Sequence, residues 1–131
     1  MTQSYKSHAK INLFLRIIGQ RSDGYHNIQS IFQLIDLHDE ISIKKRKDSL
    51  IKIKCNVKEI ENNNLIKKSI DHFLDYTQLP NIGLDIFLKK NIPIGGGLGG
   101  GSSNAATCLI ALNEIYETKL SAIQLKRIAR Q

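Results

Sequence analysis

Pro93-Ile94-Gly95-Gly96-Gly97-Leu98-Gly99-Gly100-Gly101-Ser102-Ser103-Asn104-Ala105-Ala106 is the stretch whose reading decides this chain. Six of the seven residues from Gly95 to Gly101 are glycine. Glycine reaches positive φ and lets backbone N–H groups approach an anion, and a helix N-terminus adds unpaired donors and a favourable dipole. Upstream, Leu84, Ile86 and Leu88 alternate as in a strand, which Pro93 ends. Downstream from Ser102, residues Ala105, Leu109, Leu112 and Tyr116 follow helical spacing. Ala106, Cys108, Ile110, Ala111 and Ile115 widen that apolar face until it nearly encircles the helix, which predicts a buried element. A flexible linker would not sit between a strand and an apolar helix. The run therefore reads as a phosphate-cradling loop that opens a helix, and the phosphates of a nucleotide are the expected ligand.

The strongest strand signal lies near the N-terminus, where Ala9, Ile11, Leu13, Leu15 and Ile17 alternate with Lys10, Asn12, Phe14 and Arg16. Lys10 and Asn12 therefore share a face. Turn residues fill Gly19 to His26, Asp23-Gly24 among them, before a second apolar stretch from Ile28 to Leu37. Two further strands fit residues 40–46 and 50–57. Leu65, Ile66, Ile70, Phe73 and Leu74 have helical spacing behind Asn62, Asn63 and Asn64 as caps, so a helix is expected at about 63–76. A last helix, 121–130, is opened by Ser121. Strands followed by strand–helix units give a two-layer α+β domain with a mixed sheet, one domain over residues 1–131.

Composition excludes several classes. The chain has 131 residues, 41% hydrophobic and 24% charged, which is ordinary for a globular domain with one core. No apolar run approaches the roughly 20 residues a membrane helix needs, and MTQSYKSHAK carries no apolar signal region. Cys55 and Cys108 are far apart with no metal-ligand spacing, and read as reduced buried thiols. The expectation is a cytoplasmic protein with no membrane partner. The net charge of +7 raises nucleic acid as a partner. However, Ile, Lys and Asn make up 45 residues and Lys outnumbers Arg 14 to 5, as AT-rich codon drift would produce. The densest basic stretch also alternates Ile51, Ile53, Cys55 and Val57 with Lys52, Lys54, Asn56 and Lys58, a solvated strand face. No nucleic acid partner is expected. His8, His38 and His72 show no ligand spacing and are left structural.

Glycine loops serve several chemistries. Walker A fails because Ser102 stands where its lysine should be. A GxGxxG match at Gly95, Gly97 and Gly100 is almost automatic in so dense a run, and the segment after the helix looks helical where a dinucleotide-binding unit wants a strand. The protein-kinase loop lies between two strands, whereas this one opens a helix. The string from Pro93 to Ala106 resembles the signature of the GHMP kinase superfamily: a proline, a short spacer, then Gly-Leu-Gly-Gly-Ser-Ser and small residues. Ser7-His8-Ala9-Lys10-Ile11-Asn12-Leu13 and Gly19-Gln20-Arg21-Ser22-Asp23-Gly24-Tyr25-His26 are similar to the opening of the superfamily branch that phosphorylates a cytidyl diphosphate sugar alcohol for isoprenoid biosynthesis.

That resemblance implies a GHMP kinase N-terminal domain, a fold also seen in ribosomal proteins, and a small-molecule kinase using ATP and Mg²⁺. It implies that Lys10 is the catalytic lysine with Asn12 pointing into the same site. Tyr25 and His26 would hold the cytosine by stacking and by hydrogen bonding, and Phe32 would wall that pocket. The backbone of Pro93, Ile94, Gly95, Gly96, Gly97, Leu98, Gly99, Gly100, Gly101, Ser102 and Ser103 would wrap the ATP phosphates, with the hydroxyl of Ser102 or Ser103 near Mg²⁺. Asn64 and Leu65 would sit beside adenine. The superfamily places its general-base aspartate in a Gly-Ala-Asp-Val-Pro segment beyond the last helix, after Gln131, and adds a C-terminal domain, so the fold is expected to be incomplete here. Asp71 and Asp85 are not expected to substitute. The rival readings are another GHMP kinase acting on mevalonate or homoserine, a non-enzymatic nucleotide-binding fragment, and a basic RNA-binding domain.

Overall fold

The computed structural model describes residues 1–61 and 65–131. Among them four strands make one mixed sheet in the order β1-β2-β4-β3: β1 (Thr2–Gln20), β2 (His26–Lys45), β3 (Ile51–Cys55) and β4 (Leu84–Lys89). β2 runs antiparallel to β1 and β4, whereas β3 is parallel to β4. A parallel pair needs a crossover. It is supplied by α1 (Lys58–Glu61) and α2 (Leu65–Thr77), followed after β4 by α3 (Gly100–Ile115) and α4 (Ala122–Ala129).

The core lies between the sheet and the helices. Ile41 and Ile43 of β2 and Leu84, Ile86 and Leu88 of β4 alternate with exposed or half-buried residues and pack on Ile66, Ile70 and Phe73 of α2. Cys108, Leu109, Leu112 and Ile115 of α3 and Ile128 of α4 complete the cluster. The expected two-layer α+β arrangement is present. Both cysteines are buried and neither is in a disulfide, and burial pushes the Cys108 thiol up to about 12. The lysines at 52 and 54 face outward as expected.

Four local readings need correction. The segment 40–46 is not a separate strand, because β2 runs unbroken from His26 to Lys45. The alternation in β1 predicts one buried face, yet only Ser7 and Ala9 are buried; every residue from Ile11 to Gln20, and from His26 to Leu34 opposite, is exposed. The outer half of this pair is a two-stranded ribbon that runs past the helical layer, so alternation gives the pleat but not what covers it. The third correction concerns α3, which is not buried all round: Ala106 is exposed and Ile110 is 49% exposed. Finally, α3 begins two residues early and takes in Gly100 and Gly101. The helix expected at 63–76 is α2, though its proposed caps, residues 62–64, lie outside the described residues. Ser121 caps α4 as read, with Gln124 closing a reciprocal capping box.

Candidate active site

The glycine loop joins the end of the β4 segment to α3 by alternating backbone hand. Gly95, Gly97 and Gly99 have φ of 73°, 72° and 69°, a region that side chains disfavour. Gly99 is the N-cap of α3 and offers no side chain to close it. The first backbone bond of α3 runs from Ser103 N–H to the Gly99 carbonyl at 2.9 Å. The N–H groups of Gly100, Gly101 and Ser102 are therefore ahead of the first bonded turn, without acceptors inside the helix. They border a cavity of about 370 Å³ lined by the glycines from Gly95 to Gly101, with Leu98, Ser102 and Lys90 beside them and Ile60 and Leu65 from the crossover. Donors at a helix N-terminus beside a glycine-walled cavity suit an anionic group such as phosphate.

Strand β1 delivers a cation to this loop. Lys10 N–H donates to the Leu98 carbonyl at 2.9 Å, which stitches the strand to the loop. Its ammonium donates to the Gly97 carbonyl at 3.0 Å and to Asn12 Oδ1 at 3.2 Å. Ser30 on the neighbouring strand approaches the same Asn12 oxygen at 3.5 Å. The glycine at 99 is required twice over. A Cβ there would lie 3.1 Å from Lys10 Cγ and 3.2 Å from its Cε, in addition to the strained φ.

Beneath the loop lies a polar network that sequence reasoning missed. Asp39 is fully buried, and its carboxylate accepts the N–H groups of Asn91 at 2.7 Å and Ile92 at 2.8 Å, the two residues that lead into Pro93. Its other oxygen accepts from the Lys90 ammonium and from Asn104 Nδ2 at 2.9 Å. Lys90 also reaches Asn104 Oδ1 at 3.1 Å, and Asn104 Nδ2 reaches Ser7 Oγ at 2.9 Å. Burial alone would push the Asp39 carboxyl up. The hydrogen bonds from Ile92, Lys90, Asn104 and Asn91 outweigh it and hold the group below the usual carboxylate value. A signal for this was present in the sequence: Asp39 falls in phase with Ile41 and Ile43, a charge on the buried face of a strand.

The structure brings some sequence-predicted residues together and separates others. Lys10, Asn12 and the loop from Pro93 to Ser102 form one site, and Leu65 lines its cavity; Asn64 lies outside the described residues. Ser102 lines the cavity, whereas Ser103 Oγ accepts a hydrogen bond from Ser7 at 2.9 Å. Phe32 pairs with Asn12 across the ribbon and is exposed. Tyr25 and His26 sit at the ribbon's far end, where His26 pairs with Gln20. Ten residues of strand from Lys10 to Gln20 span up to about 33 Å. Asp85 and Asp71 are paired with Arg46 and Lys67 and neither lines the cavity.

A family model, GHMP kinases N terminal domain, matches residues 64–131, more than half of the chain and the whole of α2, β4, the glycine loop and α3. The chain belongs to the GHMP kinase N-terminal domain family. Among proteins with names, a 4-diphosphocytidyl-2-C-methyl-D-erythritol kinase from Francisella philomiragia is 47% identical over 128 residues, covering 97% of this chain and 46% of that protein. A protein of the same name from Ruthia magnifica is 45% identical over 129 residues, 98% of this chain and 45% of its own. A crystal structure of 4-(cytidine 5'-diphospho)-2C-methyl-D-erythritol kinase superposes with a TM-score of 0.78 at 31% identity, covering 97% of this chain and 46% of that one. The chain thus spans less than half the length of the relatives it matches. The GHMP match places the glycine loop and α3 in the family pattern. Among the described residues, no helix is long and apolar enough to cross a membrane.

Proposed function

We propose that these residues are the nucleotide-binding half of a kinase that transfers the γ-phosphoryl group of ATP to the 2-hydroxyl of 4-diphosphocytidyl-2-C-methyl-D-erythritol, in isoprenoid precursor biosynthesis. The observation that carries the reading is the meeting of Lys10 with the loop at Gly97 and Leu98, beside three helix N-terminal donors. Phosphoryl transfer asks for positioning and charge stabilisation more than covalent chemistry, and that is what this arrangement offers. The likeness of about 47% to proteins of that name supports the substrate assignment over other GHMP kinases. Tyr25 and His26 on the ribbon favour an acceptor carrying a base, which neither mevalonate nor homoserine has.

In this reading the N–H groups of Gly100, Gly101 and Ser102 receive phosphate oxygens, and the Lys10 ammonium faces the group being transferred. Asn12 and the Gly97 carbonyl fix the direction of that ammonium. Ile60 and Leu65 supply an apolar part of the cavity wall, suited to adenine. Mg²⁺, when bound, neutralises phosphate charge, and the Ser102 hydroxyl fits it by lying free on the cavity while Ser103 is engaged by Ser7. Asp39 holds the loop's entry from below, while its partner Lys90 also borders the cavity.

The test is turnover by the protein carrying these residues with Mg-ATP and three acceptors: the cytidyl diphosphate sugar alcohol, mevalonate and homoserine. ADP release is expected with the first alone, and Lys10→Ala is expected to lower kcat by about 10²–10³-fold, the size of losing one preorganised electrostatic donor. Turnover of mevalonate or homoserine in preference would overturn the substrate. Mg-ATP binding without turnover of any acceptor would favour the non-enzymatic reading.

A further inference from the structure

The β1–β2 ribbon carries a second cluster of chemistry-bearing side chains that the kinase reading does not use. His8 and His38 are directly paired across the strands. Immediately beyond them the register breaks: β1 has one residue, Ala9, where β2 has three, Ile35, Asp36 and Leu37, before Lys10 pairs with Leu34. Bulges of this kind bend a strand and re-aim its side chains. Here the bulge brings Asp36 to the histidine pair. His8, Asp36 and His38 each offer a ligand atom within 4.8 Å of the other two, and the two rings lie 5.4 Å apart centre to centre. Ser7 and Ala9 face the helices, so His8 between them points to the other side of the sheet, away from the loop and α3.

We propose that His8, His38 and Asp36 form a binding site for a divalent transition-metal ion of the Zn²⁺ class, built on the ribbon bulge and separate from the glycine cradle. Two features beyond proximity support it. The bulge holds each ring through its Nδ1, His8 against the Ile35 carbonyl at 2.9 Å and His38 against the Asp36 carbonyl at 2.5 Å. A neutral imidazole donating Nδ1–H to a carbonyl leaves the lone pair on Nε2, the arrangement that metal-ligating histidines use. The donor set also selects the ion. Two imidazoles and one carboxylate suit Zn²⁺ and its transition-metal neighbours, whereas Mg²⁺ and Ca²⁺ demand oxygen ligands. Ligands on one tetrahedral ion at about 2.0–2.1 Å stand about 3.3 Å apart, so three groups whose ligand atoms already lie within 4.8 Å of one another need only a modest closing to share one ion. Asp36 is exposed and both histidines are half-buried, which leaves the fourth position open to water.

Metal-stripped protein titrated calorimetrically with Zn²⁺ tests this. One site is expected, with His8→Ala and His38→Ala each weakening it by about tenfold or more. Asp36→Asn is expected to weaken it as well, and His72→Ala on α2 to leave it unchanged. Far-UV circular dichroism and an unfolding curve in EDTA establish that each variant is folded. Long-range ¹H–¹⁵N spectra of the unaltered chain need no variant: Zn²⁺ is expected to move Nε2 of His8 and His38 and not those of His26 or His72. Zn²⁺ binding that survives the His8→Ala, His38→Ala double variant would overturn the proposal. So would ring shifts at His26 or His72 alone, or no binding at millimolar Zn²⁺.

Discussion

Replacing Asp39 with Asn keeps the shape of the buried strut under the glycine loop and removes its charge. The carboxylate is fully buried, and its partner Lys90 has only 6% of its side chain exposed. The neutral amide still offers one oxygen to the N–H groups of Asn91 and Ile92. Its NH₂ group would then face two donors, the Lys90 ammonium and Asn104 Nδ2. Removing one partner of a buried ion pair costs about 3–5 kcal/mol because the other charge is left uncompensated. For a chain of this size that corresponds to a fall in Tm of about 10–20 °C. Urea unfolding of Asp39→Asn measures the loss directly, and the double variant Asp39→Asn, Lys90→Met should recover part of it by removing the stranded charge. Because Asp39 fixes the two residues that enter Pro93, the single variant should also bind Mg-ATP more weakly. A stability change below about 1 kcal/mol, within the range of an exposed pair, would refute the reasoning.

Three further outcomes follow from particular contacts. The Asp39 carboxyl is held below its ordinary value of about 3.9, so its contribution to stability is complete above that pH and is lost as pH falls through the folded value. Acid unfolding monitored by circular dichroism should therefore show a stability loss below about pH 4 that Asp39→Asn reduces. Gly99→Ala places a side chain at φ 69° against Lys10, and should destabilise the chain by about 1–2 kcal/mol while weakening Mg-ATP binding, read by chemical unfolding and calorimetry. Ser121→Ala removes the cap of α4 and should cost about 1 kcal/mol with nucleotide affinity unchanged, because α4 does not border the loop cavity.

Much of the fold was legible because its signals are local. Alternation marked β3 and β4, Ser121 as cap marked α4, and the glycine run before small residues marked the start of α3 to within two residues. The pairing of Lys10 with the loop followed from resemblance, not from spacing, since 87 residues separate Lys10 from Gly97. What stayed hidden depends on register or on tertiary cover. Nothing local says that Ile11 to Gln20 would be exposed on both faces, because the apolar alternation is the same whether or not a layer packs against it. The meeting of His8 and His38 required knowing which residues oppose each other across a bulged ribbon. The Asp39 network was hidden differently, for a charge in phase with buried isoleucines is visible in sequence while its partners Lys90, Asn91 and Asn104 are not.

The most direct test of the nucleotide cradle is thermal unfolding of the 131-residue chain with and without saturating Mg-ATP. Ligand at a hundred times its Kd stabilises a binding-competent fold by about 2.7 kcal/mol, several degrees for a domain of this size. A cooperative transition that rises with Mg-ATP, and rises less in Gly99→Ala and Lys10→Ala, is the predicted result. A cooperative transition that Mg-ATP leaves unmoved would contradict the assignment of the glycine loop as a phosphate site.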